Sequence, residues 1–254
     1  MKFNNRNIYI SPKAKIGRNV RIGDNSSIYD NVIIGDNCII CNDCIIGEPL
    51  NSYYYDTNYS NSETLIGNNA LIRSHTIIYS GCKIGNDFST GHRVTIRENS
   101  EIGNSCRIGT LSDLQGNIII KDYVWLHSNV HVGQNSIINS FVFLYPFVVL
   151  TNDPKPPSND IFGPEIGEFS QISVNSVILP GVRIGQHCLI GANSTVVKDC
   201  ENYSLVLGSP AKTIKDVRDM KDANGQELYP WSMRFDRGMP WEGMNYDEWK
   251  ERND

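Results

Sequence analysis

An isoleucine stands at positions 10, 16, 22, 28, 34, 40 and 46 without a slip. The same six-residue step resumes from Ile66 to Leu150 and again from Ile166 to Val196. Of the twenty-eight positions it picks out, only Thr90 is not aliphatic. An α-helix, with about 3.6 residues per turn, cannot bring every sixth residue to one side, whereas an extended chain returns to the same side at every even spacing. The step therefore predicts short strands in a coil whose inward direction repeats, and a repeat of this kind settles the fold before any local propensity does.

Two companions travel with the aliphatic residue. Glycine often follows it, as in "KIGRNVRIGDN", "EIGNSCRIG" and "RIGQHCLIG", which predicts a sharp turn there. Two residues before it stands a small or β-branched residue in most repeats, among them Ala14, Val20, Ser26, Val32, Cys38, Cys44, Ala70, Thr76 and Cys82, as a crowded corner inside a narrow coil demands. With these companions the pattern resembles the hexapeptide-repeat family over about Ile10 to Val196. The resemblance implies an all-β fold, a left-handed parallel β-helix of triangular section with three hexads per turn. Handedness is implied by the resemblance alone, since the general crossover rule would favour a right-handed coil. The repeats make roughly nine coils, a stack of about 45 Å at strand spacing.

The β-helix is expected over 1–200, interrupted by excursions at 48–65 and 151–165. The first is polar and tyrosine-rich, and the second carries "TNDPKPPSNDIFGPE". Neither can continue the coil, and loops on a rigid scaffold are where binding groups concentrate. Residues 201–254 read as a closing turn and short helix followed by an aromatic tail. That tail holds three of the four tryptophans and is expected over the end of the stack or against a neighbouring subunit.

A formal charge of -5 without any run of lysine and arginine argues against nucleic acid and membrane surfaces as partners. The N-terminus lacks an apolar run of signal-peptide length, and seven cysteines, an odd number, suit a reducing compartment, so a cytoplasmic location is expected. "CIICNDC" has the spacing of a metal site, but Cys38 and Cys44, like Cys82, Cys106 and Cys188, fall at the small inward position and read as packing. In "WLHSNVHVGQ" the register puts His127 at a corner and His131 outward on the next flat side. Four extended residues span roughly 13 Å, so one chain cannot chelate one ion with both rings. The trio His92, His127 and His131 looks superficially like that of the hexapeptide-repeat carbonic anhydrases, yet two coils above His92 stands Ser128, and no metal is expected.

The resemblance also implies chemistry. Most hexapeptide-repeat proteins of this length resemble acyltransferases, and "GANSTVVKD" followed by "GSPAKTIKDV" matches the closing motif of coenzyme A-dependent members. On that motif acetyl-CoA is the implied donor. Lys198 and Lys212 are placed at its phosphates, the Gly191 and Ala192 backbone at its pantetheine, and Ser173 and Pro210 beside them. "FVVLTNDPKPP" and "STGHRVTIREN" look like segments of sugar N-acetyltransferases that act on dTDP-3-amino-3,6-dideoxyhexoses. In that subfamily an Asn-Asp pair, matching Asn152 and Asp153, holds the sugar and its amine; its companion one coil earlier is commonly acidic, and here it is Gln134. Glu98, Gly116, Gln134 and Asn152 are spaced by eighteen and should stack along one edge, either as a polar cleft or as an ordinary turn ladder.

Arg93, His131 and Tyr145 join Glu98 as candidate sugar contacts, and the tyrosine run Tyr53 to Tyr55 is a candidate for stacking on a nucleotide base or for trimer packing. An uncharged amine attacks a thioester unaided, so the protein need mainly position it; a hydroxyl acceptor would need a base, for which His92 comes first and His127 second. The expected protein is a homotrimer that acetylates the amine of a nucleotide-linked deoxyamino sugar. Its alternatives are an O-acetyltransferase with a histidine base, a zinc hydratase at a trimer interface, and a scaffold without catalysis.

Overall fold

A computed structural model describes residues 3–253. The hexads form strands mostly of two residues, each paired in parallel with the strand three further on. Ile96 thus stands opposite Leu114, Leu114 opposite Val132 and Val132 opposite Leu150. Three sheets result, with ten, nine and eleven strands; they are called here the first, second and third faces, beginning at Tyr9–Ile10, Lys15–Ile16 and Arg21–Ile22. The repeated aliphatic residues line the interior, almost all fully buried from Ile28 to Val196. Ile10 and Ile16 are the exceptions, 43% and 36% exposed, because the first coil has no coil beneath it to cover them. Thr90 keeps its place in the column by hydrogen bonding: its hydroxyl lies 3.3 Å from that of Thr76 and accepts the Arg73 N–H at 2.9 Å.

The corners correct the expected role of glycine. The left-handed backbone falls on the residue three places after the aliphatic, most often an asparagine, as in Asn19, Asn25, Asn31 and Asn37 with φ of 57°, 59°, 60° and 60°. Asparagine tolerates this region better than most residues. The glycine after the aliphatic is needed for space instead: a Cβ on Gly17 would come within 2.6 Å of the Gly35 carbonyl in the next coil. Where the small inward position holds serine or cysteine, its side chain in most coils also donates a hydrogen bond to a carbonyl of the coil. Ser112 and Ser176 hydroxyls donate to the carbonyls of His127 and Gly191, and the thiols of Cys82 and Cys106 donate to those of Arg97 and Lys121. All seven cysteines are unpaired and buried, and burial pushes the Cys82 and Cys106 thiols up to about 12.

The stack is longer than nine coils. The segment read as a closing turn contains a further strand, Ser204–Gly208, parallel to Leu189–Ile190, and then Ala211–Asp216, which folds back antiparallel on it. This hairpin extends the third face beyond the other two, which end at Thr195–Val196 and Arg183–Ile184. The short helix expected just after 201 is a single 3₁₀ turn, Val217–Asp219, and the α-helix comes at the end, Tyr246–Asn253. The aromatic tail runs along the flank and not over the end of the stack. Trp231, Met239 and Trp241 are buried against Trp125, Phe143 and Phe169 of the same chain. Among the described residues no helix is long and apolar enough to cross a membrane.

Candidate functional site

Both excursions leave the same corner, between the first and second faces. One follows Ile45–Glu48 and the other Val149–Leu150, five layers apart, or about 24 Å. The column Glu98, Gly116, Gln134, Asn152 lies on this loop corner between them. Its lower end is charged but neutralised: Arg97 Nε and Nη2 donate to the Glu98 carboxylate at 2.7 and 3.0 Å, and the guanidinium lies 4.9 Å from the centre of the Tyr79 ring. Gly116 has φ +95°, and a Cβ there would meet the Glu98 carbonyl at 2.9 Å. Asn152 is half-buried above Gly133, where an added Cβ would come within 3.0 Å of its own Cβ, so a side chain at 133 would displace it. Asp153 organises its loop: its carboxylate accepts the Lys155 and Ser158 N–H groups at 2.9 and 2.8 Å and the Ser158 hydroxyl at 2.7 Å. The Ser158 hydrogen bond, first among these, holds the Asp153 carboxyl below its ordinary range.

The first face carries a pair that the sequence reasoning missed. Asp113 stands directly below His131, and its Oδ2 lies 3.3 Å from His131 Nδ1. Gln115 Nε2 also donates to that carboxylate at 2.5 Å. The hydrogen bond from His131, ahead of that from Gln115, lowers the Asp113 pKa against the opposing effect of burial. A carboxylate on Nδ1 fixes the imidazole plane and leaves Nε2 for a ligand. The eighteen-residue offset that linked Gln134 to Asn152 would have exposed Asp113 too, had it been applied to His131.

The opposite edge of the first face is the histidine corner. His127 is stacked on Tyr145, with centroids 4.9 Å apart and planes 10° from parallel. The dry contact lowers the His127 pKa although the rest of the ring is open to water, and burial raises that of Tyr145. His92 and Arg93 lie lower on this corner, both exposed, with Arg93 at φ 56°. The His92 N–H donates to Thr110 Oγ1 at 3.2 Å, which places His92 in the column of Thr110 and not in that of His127. Among the described residues no three His, Cys, Asp or Glu side chains are gathered as a metal site would require.

Ser173 and Gly191 continue the column of His127 and Tyr145 upward, since Tyr145 N–H donates to Ile172 O, Ser173 N–H to Ile190 O and Gly191 N–H to Val206 O. The last bond corrects the expectation for Gly191. Its N–H is spent on the extra strand, and the Leu207 side chain covers the place where a Cβ would project, so its amide is not offered to a ligand. Ala192, next on the corner, is exposed, and no acceptor takes its N–H among the described residues. Lys198 stands on the loop corner two layers above Asn152, about 10 Å away by layer spacing, and Lys212 lies on the hairpin strand opposite Leu207. Both lysines are exposed and neither joins an ion pair among the described residues. Pro210 is at the exposed hairpin tip, which is tied to the coil by Ser209 Oγ donating to Thr195 Oγ1 at 2.9 Å. The tyrosine run is at the far end: Tyr53 packs edge-on against Tyr29, Tyr54 and Tyr59, and Tyr55 is 83% exposed.

Comparison with known proteins agrees with this geometry. Residues 13–48 and 163–198 match the family described as Bacterial transferase hexapeptide (six repeats). The chain is 27% identical over 169 residues to the bifunctional protein GlmU of Synechococcus sp. (strain CC9311), covering 61% of this chain and 34% of that protein. A probable macrolide acetyltransferase of Lysinibacillus sphaericus is 54% identical over 50 residues, 20% of this chain and 28% of that one. The chain thus spans about a third or less of these curated relatives. Among solved structures, LpxA of Bacteroides fragilis, a UDP-N-acetylglucosamine acyltransferase, superposes with a TM-score of 0.52 at 22% identity, over 82% of this chain and 72% of that one. The recurring six-residue step, the three parallel faces and these matches show a left-handed parallel β-helix, similar to the bacterial transferase hexapeptide family over the two matched segments.

Proposed function

We propose that the protein is an acyltransferase that moves the acetyl group of acetyl-CoA to the amine of a nucleotide-linked deoxyamino sugar, of the dTDP type by the resemblance noted above. One observation carries this reading. The acceptor candidates Gln134 and Asn152 lie two to three layers below Lys198, on the same corner, between two loops that frame it. A donor held at the top of the stack by Lys198, Lys212 and the Ala192 N–H can bring a thioester down to that level. Names among the relatives, GlmU and several acetyltransferases, support acyl transfer as the reaction class. In the reaction the neutral amine attacks the thioester carbonyl, a C–N bond forms, the C–S bond breaks, and the departing thiolate takes the proton. Asn152 and Gln134 orient the sugar, which lowers the barrier through positioning. A homotrimer with its cleft between subunits belongs to the same reading.

The test is release of free thiol from acetyl-CoA in the presence of dTDP- and UDP-linked amino sugars. Transfer should occur with an amino sugar and fall by about two orders of magnitude in Asn152→Ala, the loss expected when a reactant is no longer held in line. Absence of thiol release with every amino sugar tried would overturn the proposal.

The Asp113–His131 pair favours a second reading, transfer to a hydroxyl with His131 as base. That reading requires Asp113→Asn and His131→Asn each to slow transfer to a hydroxyl sugar by about two orders of magnitude and to change its pH profile. If both variants leave the profile unmoved, His131 is no base.

A further inference from the structure

Where the tail crosses the third face it encloses a cavity of about 220 Å³, lined by Phe143, Tyr145, Gln171, Trp231, Arg234 and Phe235. Phe143 meets Trp231 edge-on at 4.9 Å and Phe235 at 5.7 Å, with planes 86° and 87° apart, so the walls are flat ring surfaces set nearly at right angles. The volume is below the roughly 300 Å³ of a site for a drug-sized molecule and suits a single ring.

Of the polar groups at the cavity, the Gln171 amide and the Arg234 guanidinium offer donors, and the Tyr145 hydroxyl can donate or accept. Trp231 Nε1–H is spent on the Phe169 carbonyl at 2.8 Å, so that ring acts only as a wall. Gln171 Oε1 already accepts the Tyr229 hydroxyl at 2.6 Å, which leaves the amide NH₂ for a ligand. Arg234 gives one Nη2 proton to the Leu228 carbonyl at 2.6 Å and keeps its others. No carboxylate lines the cavity. Flat apolar walls with two donors and one hydroxyl select a flat ring that carries carbonyl acceptors beside an N–H.

Position narrows the ligand further. Tyr145 is shared between this cavity and the histidine corner, and it lies on the same coil as Asn152, one face-width away, or roughly 13 Å for four extended residues. The tyrosine run at 53–55, by contrast, leaves the stack five layers below Asn152.

We infer that the tail builds a base subsite for a nucleotide-linked substrate, one that takes a pyrimidine-dione ring such as uracil or thymine. This rests on the nucleotide-sugar reading above. The ring lies between Phe143, Trp231 and Phe235, its carbonyls accept from Arg234 and Gln171, and the diphosphate and sugar run across the first face toward Asn152. The adenine of coenzyme A is the other available heterocycle; it carries no carbonyl, and its exocyclic amine would have the Tyr145 hydroxyl as its one free acceptor in the lining.

Calorimetric titration of the full-length chain with dTMP, UMP, AMP and coenzyme A tests the inference, on wild type, Arg234→Met and Gln171→Glu. The glutamate keeps an acceptor for Tyr229 and replaces the donor by a carboxylate. The pyrimidine nucleotides should bind more tightly than AMP and lose about tenfold in either variant, as removal of a hydrogen bond to a charged or polar donor predicts. Coenzyme A affinity should be unmoved, and the KM for the nucleotide sugar should rise while that for acetyl-CoA stays. Unchanged pyrimidine affinity in both variants overturns the subsite, and so does a loss of coenzyme A affinity in its place. If dTMP binding responds to the variants but no amino sugar is acetylated, the subsite stands and the proposed reaction falls. If acetylation proceeds and the variants change nothing, the reverse holds.

Discussion

The corner between the second and third faces carries two ladders built on one backbone. In its lower half Asn19, Asn37, Asn69 and Asp87 hand an amide proton upward from each to the next at 3.1, 3.3 and 2.9 Å. In its upper half the same position holds Tyr123, Phe141, Phe169, His187 and Tyr203, whose rings stack at 5.3, 4.7, 4.8 and 4.9 Å. All nine residues have left-handed backbone, with φ between 54° and 63°. That conformation costs an aromatic residue about 1–2 kcal/mol relative to the ordinary region, and asparagine less. Each aromatic pair returns about 0.5–1.5 kcal/mol, which roughly balances the strain and leaves no surplus. The surplus has to come from a cover. The polar ladder satisfies itself and faces water, whereas the middle of the aromatic ladder, Phe141 and Phe169, is covered by Trp231, Trp241 and Trp249 of the tail. The coil thus sets where side chains stack, and the residue chosen decides whether a column ends in solvent or recruits another segment.

Trp241→Ala should produce the largest break between the two halves. Trp241 is 1% exposed and touches Phe141, Phe169, Trp231, Tyr246 and Trp249. Its truncation should cost about 3–5 kcal/mol, all of it in the docking of the tail. Protease cleavage within 220–253 should accelerate while the circular dichroism of the coil is unchanged. If the coil melts together with the tail, the two are a single cooperative unit and the comparison fails.

Exchanging residues between the ladders is a milder test. Phe141→Asn relieves the backbone strain but removes a half-buried ring from contact with Tyr123, Phe169, Trp241 and Trp249, for an expected net loss of about 2 kcal/mol. Asn37→Phe breaks two exposed amide bonds and adds strain without finding a cover, for about 1 kcal/mol. Denaturant midpoints measure both, and a stabilising effect of Asn37→Phe would show that stacking alone supports the aromatic ladder.

The same distinction governs what could be read from the sequence. The inward column was legible because an interior three hexads around admits little besides aliphatic side chains, and the small position at the corner was legible because space there is just as limited. Glycine was given the wrong cause, since crowding by the next coil and left-handed backbone select the same residue and only the coordinates separate them. Ser204–Gly208 lacked the six-residue step and read as a turn, and one missed strand led to a second error, because its Val206 carbonyl is what occupies the Gly191 N–H. Asp113 was hidden for another reason. A pair across layers shows no local motif, and it appears only when every charged residue is compared with the one eighteen places away. The docking of the tail had no periodic signal at all, because it depends on which outward residues happen to be aromatic.

The smallest expected effect concerns the one imidazole of the aromatic ladder. His187 lies between Phe169 and Tyr203, with planes 5° and 3° from parallel to theirs, and its Nδ1 is buried without a hydrogen-bond partner. Burial, and after it the positive charges of Lys250 and Arg218, hold its pKa below the ordinary imidazole value. The folded value is therefore lower than the unfolded one. The stability linked to this residue is present in full above the unfolded pKa of about 6.5 and is lost as the pH falls through the folded value. A neutral ring stacks on its neighbours, whereas a protonated one brings an unsolvated charge beside two other cations. The melting temperature of the upper stack and tail should therefore fall between pH 7 and pH 5, and His187→Phe, which keeps the stack and removes the proton site, should flatten that slope. The polar ladder holds no histidine, so Asn37→Ala should lower stability about equally at both pH values. A slope that survives in His187→Phe would place the acid sensitivity outside this corner.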